Sequence, residues 1–156
     1  MDIDFFKKIR ILDGGMGQEL LARGMKPQGT LWSAIAILNE KYHKLLYDTH
    51  VDYIKAGAEV IVTTTFASRK TRLRENKVED KFEYLNKKAG EIAKKTKDTY
   101  PDVLIAGGLP PQGSTYKEDN RSNDEISEDF YKHAELLNHY SDFFYLDVIS
   151  SIKELK

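Results

Sequence analysis

Cysteine is absent from this chain of 156 residues. Its absence excludes disulfides, thiol nucleophiles and thiolate metal ligands together. The four histidines are then the strongest metal-ligand candidates left. Proline is scarce, with four in the chain, and no apolar run approaches the ~20 residues a membrane span needs, so no membrane partner is expected. Neither sign of charge dominates: the formal net charge is −1 and 31% of residues are charged. No global excess argues for nucleic acid as a partner or for disorder. Asp2 and Asp4 precede a short Phe5-Phe6 pair, which is not the pattern of a secretory leader. A cytoplasmic protein is the default expectation. By length, residues 1–156 form one domain, large enough to bury a core.

Charge is uneven along the chain. Arg69 to Lys97 holds 11 Lys/Arg against 5 Asp/Glu, whereas Asp98 to Lys156 holds 5 against 12. Two oppositely charged, solvated faces account for this pattern. A patch for RNA would interleave aromatics at a spacing suited to base stacking, and the basic stretch does not.

Strand and helix patterns alternate. Ile9–Leu12 reads as a first strand, and a short helix from Gln18 to Arg23 stops at Gly24. Asn39 is placed to cap a longer helix that runs to about Ala56, with Tyr42, Leu45, Leu46, Thr49 and Tyr53 at helical spacing and Gly57 as its stop. Val60–Thr64 is a short β-branched strand. A helix from Asp80 to Lys97 carries Phe82, Leu85, Ala89, Ile92, Ala93 and Thr96 on one stripe, and Val103–Ala106 is a third strand. Gly107 to Asn123 is irregular until Ser122-Asn123-Asp124-Glu125, a capping box for a helix expected to bury Phe130, Ala134 and Leu137. Phe143–Leu146 is a fourth strand, followed by Asp147. The order β-α-β-α-β-α-β implies an α/β fold with parallel strands and right-handed crossovers. Pattern alone leaves an open doubly wound sheet and half of a barrel equally available.

The densest motif is Asp13-Gly14-Gly15-Met16-Gly17. It puts an acid at the carboxyl end of a strand, where α/β sheets carry their chemistry, and follows it with a turn whose glycines admit close backbone approach. A dinucleotide fingerprint does not fit, because Leu20 stands where the third glycine is needed. The histidines do not form a helical metal site. His43 and His50 lie seven apart and His133 and His139 six apart, not four, so surface or packing roles are expected for all of them.

Taken with Trp32-Ser33-Ala34, Ala56-Gly57-Ala58-Glu59-Val60-Ile61-Val62-Thr63-Thr64-Thr65-Phe66 and Phe144-Tyr145-Leu146-Asp147, the Asp13 motif resembles the homocysteine S-methyltransferase family. The resemblance implies the first half of a (β/α)₈ TIM-type barrel, ending just after the fourth strand, since a full barrel takes about 250 residues. It implies that Asp13, Gly14 and Gly15 hold the amino-acid part of homocysteine: a carboxylate suits an ammonium, and turn N–H groups suit a carboxylate. Thr63, Thr64 and Thr65 stand where the family usually reads Thr-Asn-Thr, and their hydroxyls are expected to bind the substrate carboxylate. Asp147 replaces a family glutamate that contacts the substrate amino group. Gly108 and Pro110 depart from the family's Gly-Ser-Leu-Gly-Pro loop, and proline there fixes φ and removes a donor. Trp32 is expected to seal the barrel edge, and His50 matches a helix histidine that lies away from the reaction.

Family members transfer a methyl group to the homocysteine sulfur, giving methionine, and hold zinc on cysteines from later strands to stabilise the thiolate. None of those ligands is in this chain, so no resident zinc is expected here and no zinc-dependent methyl transfer by the chain alone. The expected partner is homocysteine or a similar amino acid. The alternative is a non-catalytic or split half-barrel that pairs with itself or with a complementary chain, because unpaired outer strands invite association.

Overall fold

Residues 3–155 are described by the structure, a computed structural model; Asp2 of the N-terminal charge pattern lies outside them. In chain order the helices and strands are α1 (Met16–Ala22), α2 (Ile35–Leu38), α3 (His43–Lys55), β1 (Val60–Val62), α4 (Lys70–Glu75), α5 (Phe82–Thr99), β2 (Leu104–Leu109), α6 (Asn123–Leu137) and β3 (Phe143–Leu146). The strands form one parallel sheet in the order β1-β2-β3, with Val60 opposite Leu104 and Leu109 opposite Leu146. Sequential parallel strands joined by helices give the α/β architecture read from the alternating pattern.

Local signals in the sequence set the helix ends. The Asn39 side chain accepts from the Lys41 N–H at 3.3 Å, opening a 3₁₀ turn over Glu40–Tyr42 that leads into α3. Gly57, at φ +111°, lets the chain leave α3 in the left-handed conformation. The capping box at α6 is complete: Glu125 N–H donates to Ser122 Oγ at 3.3 Å, and Ser122 N–H donates to Glu125 Oε2 at 3.0 Å. Leu85, Ala89, Ile92, Ala93 and Thr96 of α5 are buried, as their spacing requires. Two apolar clusters result. One joins the helices through Leu20, Leu31, Ile37, Leu46, Leu73 and Leu85; the other packs Ile61, Val103 and Ile105 of the sheet layer against Ala93.

Three expectations need correction. Ile9–Leu12 is not a strand: only Leu12 bridges, in parallel, to Val60. Ile9 is 96% exposed, and the Ile11 carbonyl accepts from both Glu59 and Val60 N–H. With a partner on one side only, this outer segment is anchored instead by Arg10, whose guanidinium meets Glu59 at 2.6 Å. β1 stops at Val62 because the Thr65 N–H turns back onto the Thr63 carbonyl at 2.7 Å, bending the chain out of the ladder. On α6 the buried side chains are Ile126, His133 and Leu137, while Phe130 and Ala134 are half-buried.

The oppositely charged segments do not simply face water; they also pair across the fold. Lys70 of α4 meets Asp129 of α6 at 2.7 Å, and Lys97 of α5 meets Asp142 before β3 at 2.5 Å. Further pairs lie along α5 itself, Lys87 with Glu83 and Lys94 with Asp98. Among the described residues no helix is long and apolar enough to cross a membrane.

Candidate functional site

The carboxyl ends of the parallel segments enclose a cavity of about 340 Å³, lined by Asp13, Gly14, Gly15, Thr63, Thr64 and Asp147 among others. That volume falls in the range of small-molecule sites, about 300–1,000 Å³. Asp13 is fixed at the edge of β1 by its own backbone and side chain. Its N–H donates to the Val60 carbonyl at 2.9 Å, and its Oδ2 accepts from the Val62 N–H at 3.1 Å. Asp147 is held from the other side, its N–H donating to the Leu109 carbonyl at 3.0 Å. Residues 134 positions apart thus reach one cavity because parallel strands bring all their carboxyl ends to the same edge.

The two carboxylates sense each other. Burial pushes the Asp147 carboxyl above its ordinary range, and the negative charge of Asp13 adds to the rise. Among the described residues no lysine or arginine forms an ion pair with either acid; the buried His50 places its Nδ1 3.6 Å from Asp13 Oδ2. Tyr53 is raised by burial, with Glu19 and Asp13 contributing, and its ring lies against Gly14, where a Cβ would come within 2.8 Å of it.

The threonines divide their work. Thr63 Oγ1 accepts from the Gly108 N–H at 2.9 Å, and Thr65 Oγ1 donates to the Gly108 carbonyl at 2.7 Å. Those hydroxyls tie the end of β1 to β2. Thr65 is fully buried and is not part of the cavity lining, so of the sequence-derived site residues it alone is left out. Thr64 does line the cavity, with its hydroxyl 3.4 Å from His50 Nε2. Gly108 lies within β2 and, like Pro110, is not part of the lining.

Trp32 lines the cavity, remains 43% exposed, and lies so close to α1 that a Cβ on Gly17 would sit 1.9 Å from the indole Nε1. Its backbone is left-handed at φ +50°, as is that of Val148 at φ +58°, beside Asp147. Non-glycine residues held this way are costly and cluster at ligand clamps.

Sequence reasoning missed Tyr145 and Phe66, which also line the cavity. A signal existed for Tyr145: two residues before Asp147 on a strand, it points to the same face. It also missed that His50, four residues after the buried Leu46 on α3, lies beneath Asp13 rather than away from the site. Among the described residues no group of three His, Asp or Glu side chains is arranged to hold a metal ion.

The family profile described as homocysteine S-methyltransferase matches residues 10–156. The homocysteine S-methyltransferase of Escherichia coli K12 is 28% identical over 138 residues, covering 80% of this chain and 44% of the relative. Homocysteine S-methyltransferase 2 of Saccharomyces cerevisiae is 35% identical over 78 residues, covering 45% of this chain and 24% of the relative. The metallated form of the homocysteine methyltransferase MmuM from Escherichia coli superposes with a TM-score of 0.82 at 24% identity, over 97% of this chain and 58% of that one. The chain therefore spans less than half the length of these curated relatives. With a profile match over nearly all its residues and a shared fold, the chain belongs to the homocysteine S-methyltransferase family.

Proposed function

We propose that this chain binds the amino-acid end of homocysteine, or of a closely similar amino acid, in the cavity between Asp13 and Asp147. The observation that carries the reading is the convergence of two carboxylates on one cavity with, among the described residues, no lysine or arginine paired to either. An ammonium placed between them supplies the missing positive charge and relieves their repulsion. The Gly14–Gly15 turn, on the same wall, offers backbone N–H groups for the substrate carboxylate, and Trp32 with Tyr145 gives an apolar flank for the sulfur-bearing chain. In this reading the parallel segments form the first half of a (β/α)₈ barrel, and the cavity is part of its mouth.

The zinc that family membership implies does not fit the residues described here. The cavity offers two carboxylates, the His50 imidazole is fully buried outside its lining, no thiolate exists in the sequence, and among the described residues no three donors converge. No step is therefore routed through zinc, and methyl transfer to the sulfur is not assigned to this chain alone.

Calorimetric titration with L-homocysteine tests the reading. Binding is expected for the wild type, and Asp13→Ala should weaken it by at least about thirtyfold, the low end of the ~2–5 kcal/mol lost when one partner of a buried charge pair is truncated. Unchanged binding in Asp13→Ala would refute it. A second reading, pairing with another copy or with a complementary chain, is favoured by β3. Its Phe144, Tyr145 and Leu146 are exposed, and Ile9 and Ile11 are exposed by the first segment. Light scattering decides it: a strict monomer with no co-purifying partner removes it.

A further inference from the structure

We infer that His50 is a positioning residue that sets the hydrogen-bond polarity of this cavity, donating from Nδ1 toward Asp13 and accepting at Nε2 from the Thr64 hydroxyl. The inference rests on the amino-acid-binding reading and deepens it.

His50 is fully buried. Its Nδ1 has no hydrogen-bond partner and faces Asp13 Oδ2 at 3.6 Å, while its Nε2 lies 3.4 Å from Thr64 Oγ1. A neutral imidazole carries one N–H, so one nitrogen donates and the other accepts. With the proton on Nε2, the bare lone pair of Nδ1 would point at a carboxylate oxygen in a site shut off from water. With the proton on Nδ1, both contacts join a donor to an acceptor. The carboxylate therefore selects the Nδ1–H tautomer. Both contacts are longer than strong hydrogen bonds, and at these lengths orientation and charge–dipole attraction carry the effect.

Two consequences reach the cavity. Oδ2 of Asp13 accepts from the Val62 N–H at 3.1 Å and faces His50 Nδ1 at 3.6 Å, leaving Oδ1 for a ligand. The single hydroxyl proton of Thr64 is directed at His50, so Thr64 presents only lone pairs to the cavity. Asp13, Thr64 and Asp147 then form a set of acceptors, suited to an ammonium with three N–H donors. Thr64 is thereby reassigned from the carboxylate end of the ligand, where its hydroxyl was first expected to act, to the ammonium end.

Two measurements test this on the whole chain. Long-range ¹H–¹⁵N spectra of the ligand-free protein should show His50 protonated at Nδ1 and bare at Nε2; protonation at Nε2 overturns the inference. Titrations with L-homocysteine and its des-amino analogue, 4-mercaptobutanoate, then compare wild type with His50→Asn, whose amide N–H takes the place of Nδ1, and His50→Gln, whose amide reaches the place of Nε2. Each variant keeps only one of the two contacts, so His50→Asn should lose about threefold of the preference for the amine and His50→Gln at least about tenfold. A His50→Gln protein that keeps its melting temperature and its preference overturns the inference. So does a loss that is equal for both ligands. If both variants unfold, the ring-nitrogen spectrum of the wild type decides alone. If the wild type binds neither ligand, the binding reading fails, and the spectrum still decides the role of His50.

Discussion

Asp119 and Asp129 are gripped by cations, whereas Asp13 and Asp147 share a cavity that, among the described residues, no lysine or arginine side chain enters as a partner. Arg121 reaches Asp119 at 2.7 Å and Asp129 at 2.6 Å, and Lys70 meets Asp129 at 2.7 Å. The Arg121 hydrogen bonds hold the Asp119 carboxyl below its ordinary range. Burial pushes Asp129 up, but Lys70 and Arg121 outweigh it and the net direction is down. At the cavity the balance is reversed: Asp147 is raised, by burial first and by Asp13 second. Identical side chains thus shift in opposite directions according to whether the fold supplies their counter-charge. The first pair is electrostatically complete and structural. The second lacks a counter-charge, and the ammonium of the proposed amino-acid ligand would supply one.

The comparison is broken most severely by removing Arg121. Arg121→Met strands a nearly buried Asp119 and deprives Asp129 of one of its two cations, at an expected cost of about 3 kcal/mol. Urea unfolding at neutral pH measures it, and a change below about 0.5 kcal/mol would mean that the network is no tighter than an ordinary surface pair. Homocysteine binding by the folded variant should be unchanged.

A smaller effect, set by pH, separates the two regions again. His133 packs edge-on to Phe82 near the paired acids, and burial, followed by the positive charge of Arg69, lowers its pKa to about 3. The unfolded chain takes up the imidazole proton below its ordinary value of 6.5, while the folded protein does not. Stability is therefore fully present above 6.5 and is lost as the pH falls toward 3, by about 2 kcal/mol at pH 5. His133→Gln should flatten this loss whatever its stability at neutral pH. An unchanged slope would place the acid sensitivity elsewhere.

How far the sequence discloses this arrangement depends on the range over which each signal acts. The capping box at Ser122, the stop at Gly57 and the stripe on α5 are local, and the structure reproduces them because local hydrogen bonding and helical spacing are enough to specify them. Asp13 and Asp147 were legible because a carboxylate at a strand's end lies at a fixed edge of a parallel sheet. Ile9–Leu12 misled because its apolar composition says nothing of whether a second neighbour exists, and only Leu12 bridges. Thr65 was assigned to the site by motif position, yet its rotamer is settled by the Gly108 carbonyl, 43 residues away. His50 and Trp32 share that difficulty. One is aimed at Asp13 by the packing of α3 on β1, the other is laid on Gly17 by a left-handed backbone, and neither arrangement has a signature in spacing.

The finest discrimination comes from Asp147→Asn. An acid whose folded pKa is raised costs the folded state nothing while both forms are protonated; the cost appears as the pH rises above the ordinary value of 3.8 and is complete once the raised value has been passed. The half-buried Asp147 therefore makes the protein slightly less stable at neutral pH than it would be with an uncharged side chain, and Asp147→Asn should raise the urea midpoint there. At a pH below 3.8 the two proteins should differ only by a constant. L-Homocysteine should narrow the difference at neutral pH, because its ammonium offsets the repulsion from Asp13 that the substitution removes, and binding to the wild type should release a proton within the same pH window. A destabilised Asp147→Asn at neutral pH would show that some cation already neutralises Asp147, and the distinction between the two acid pairs would no longer stand.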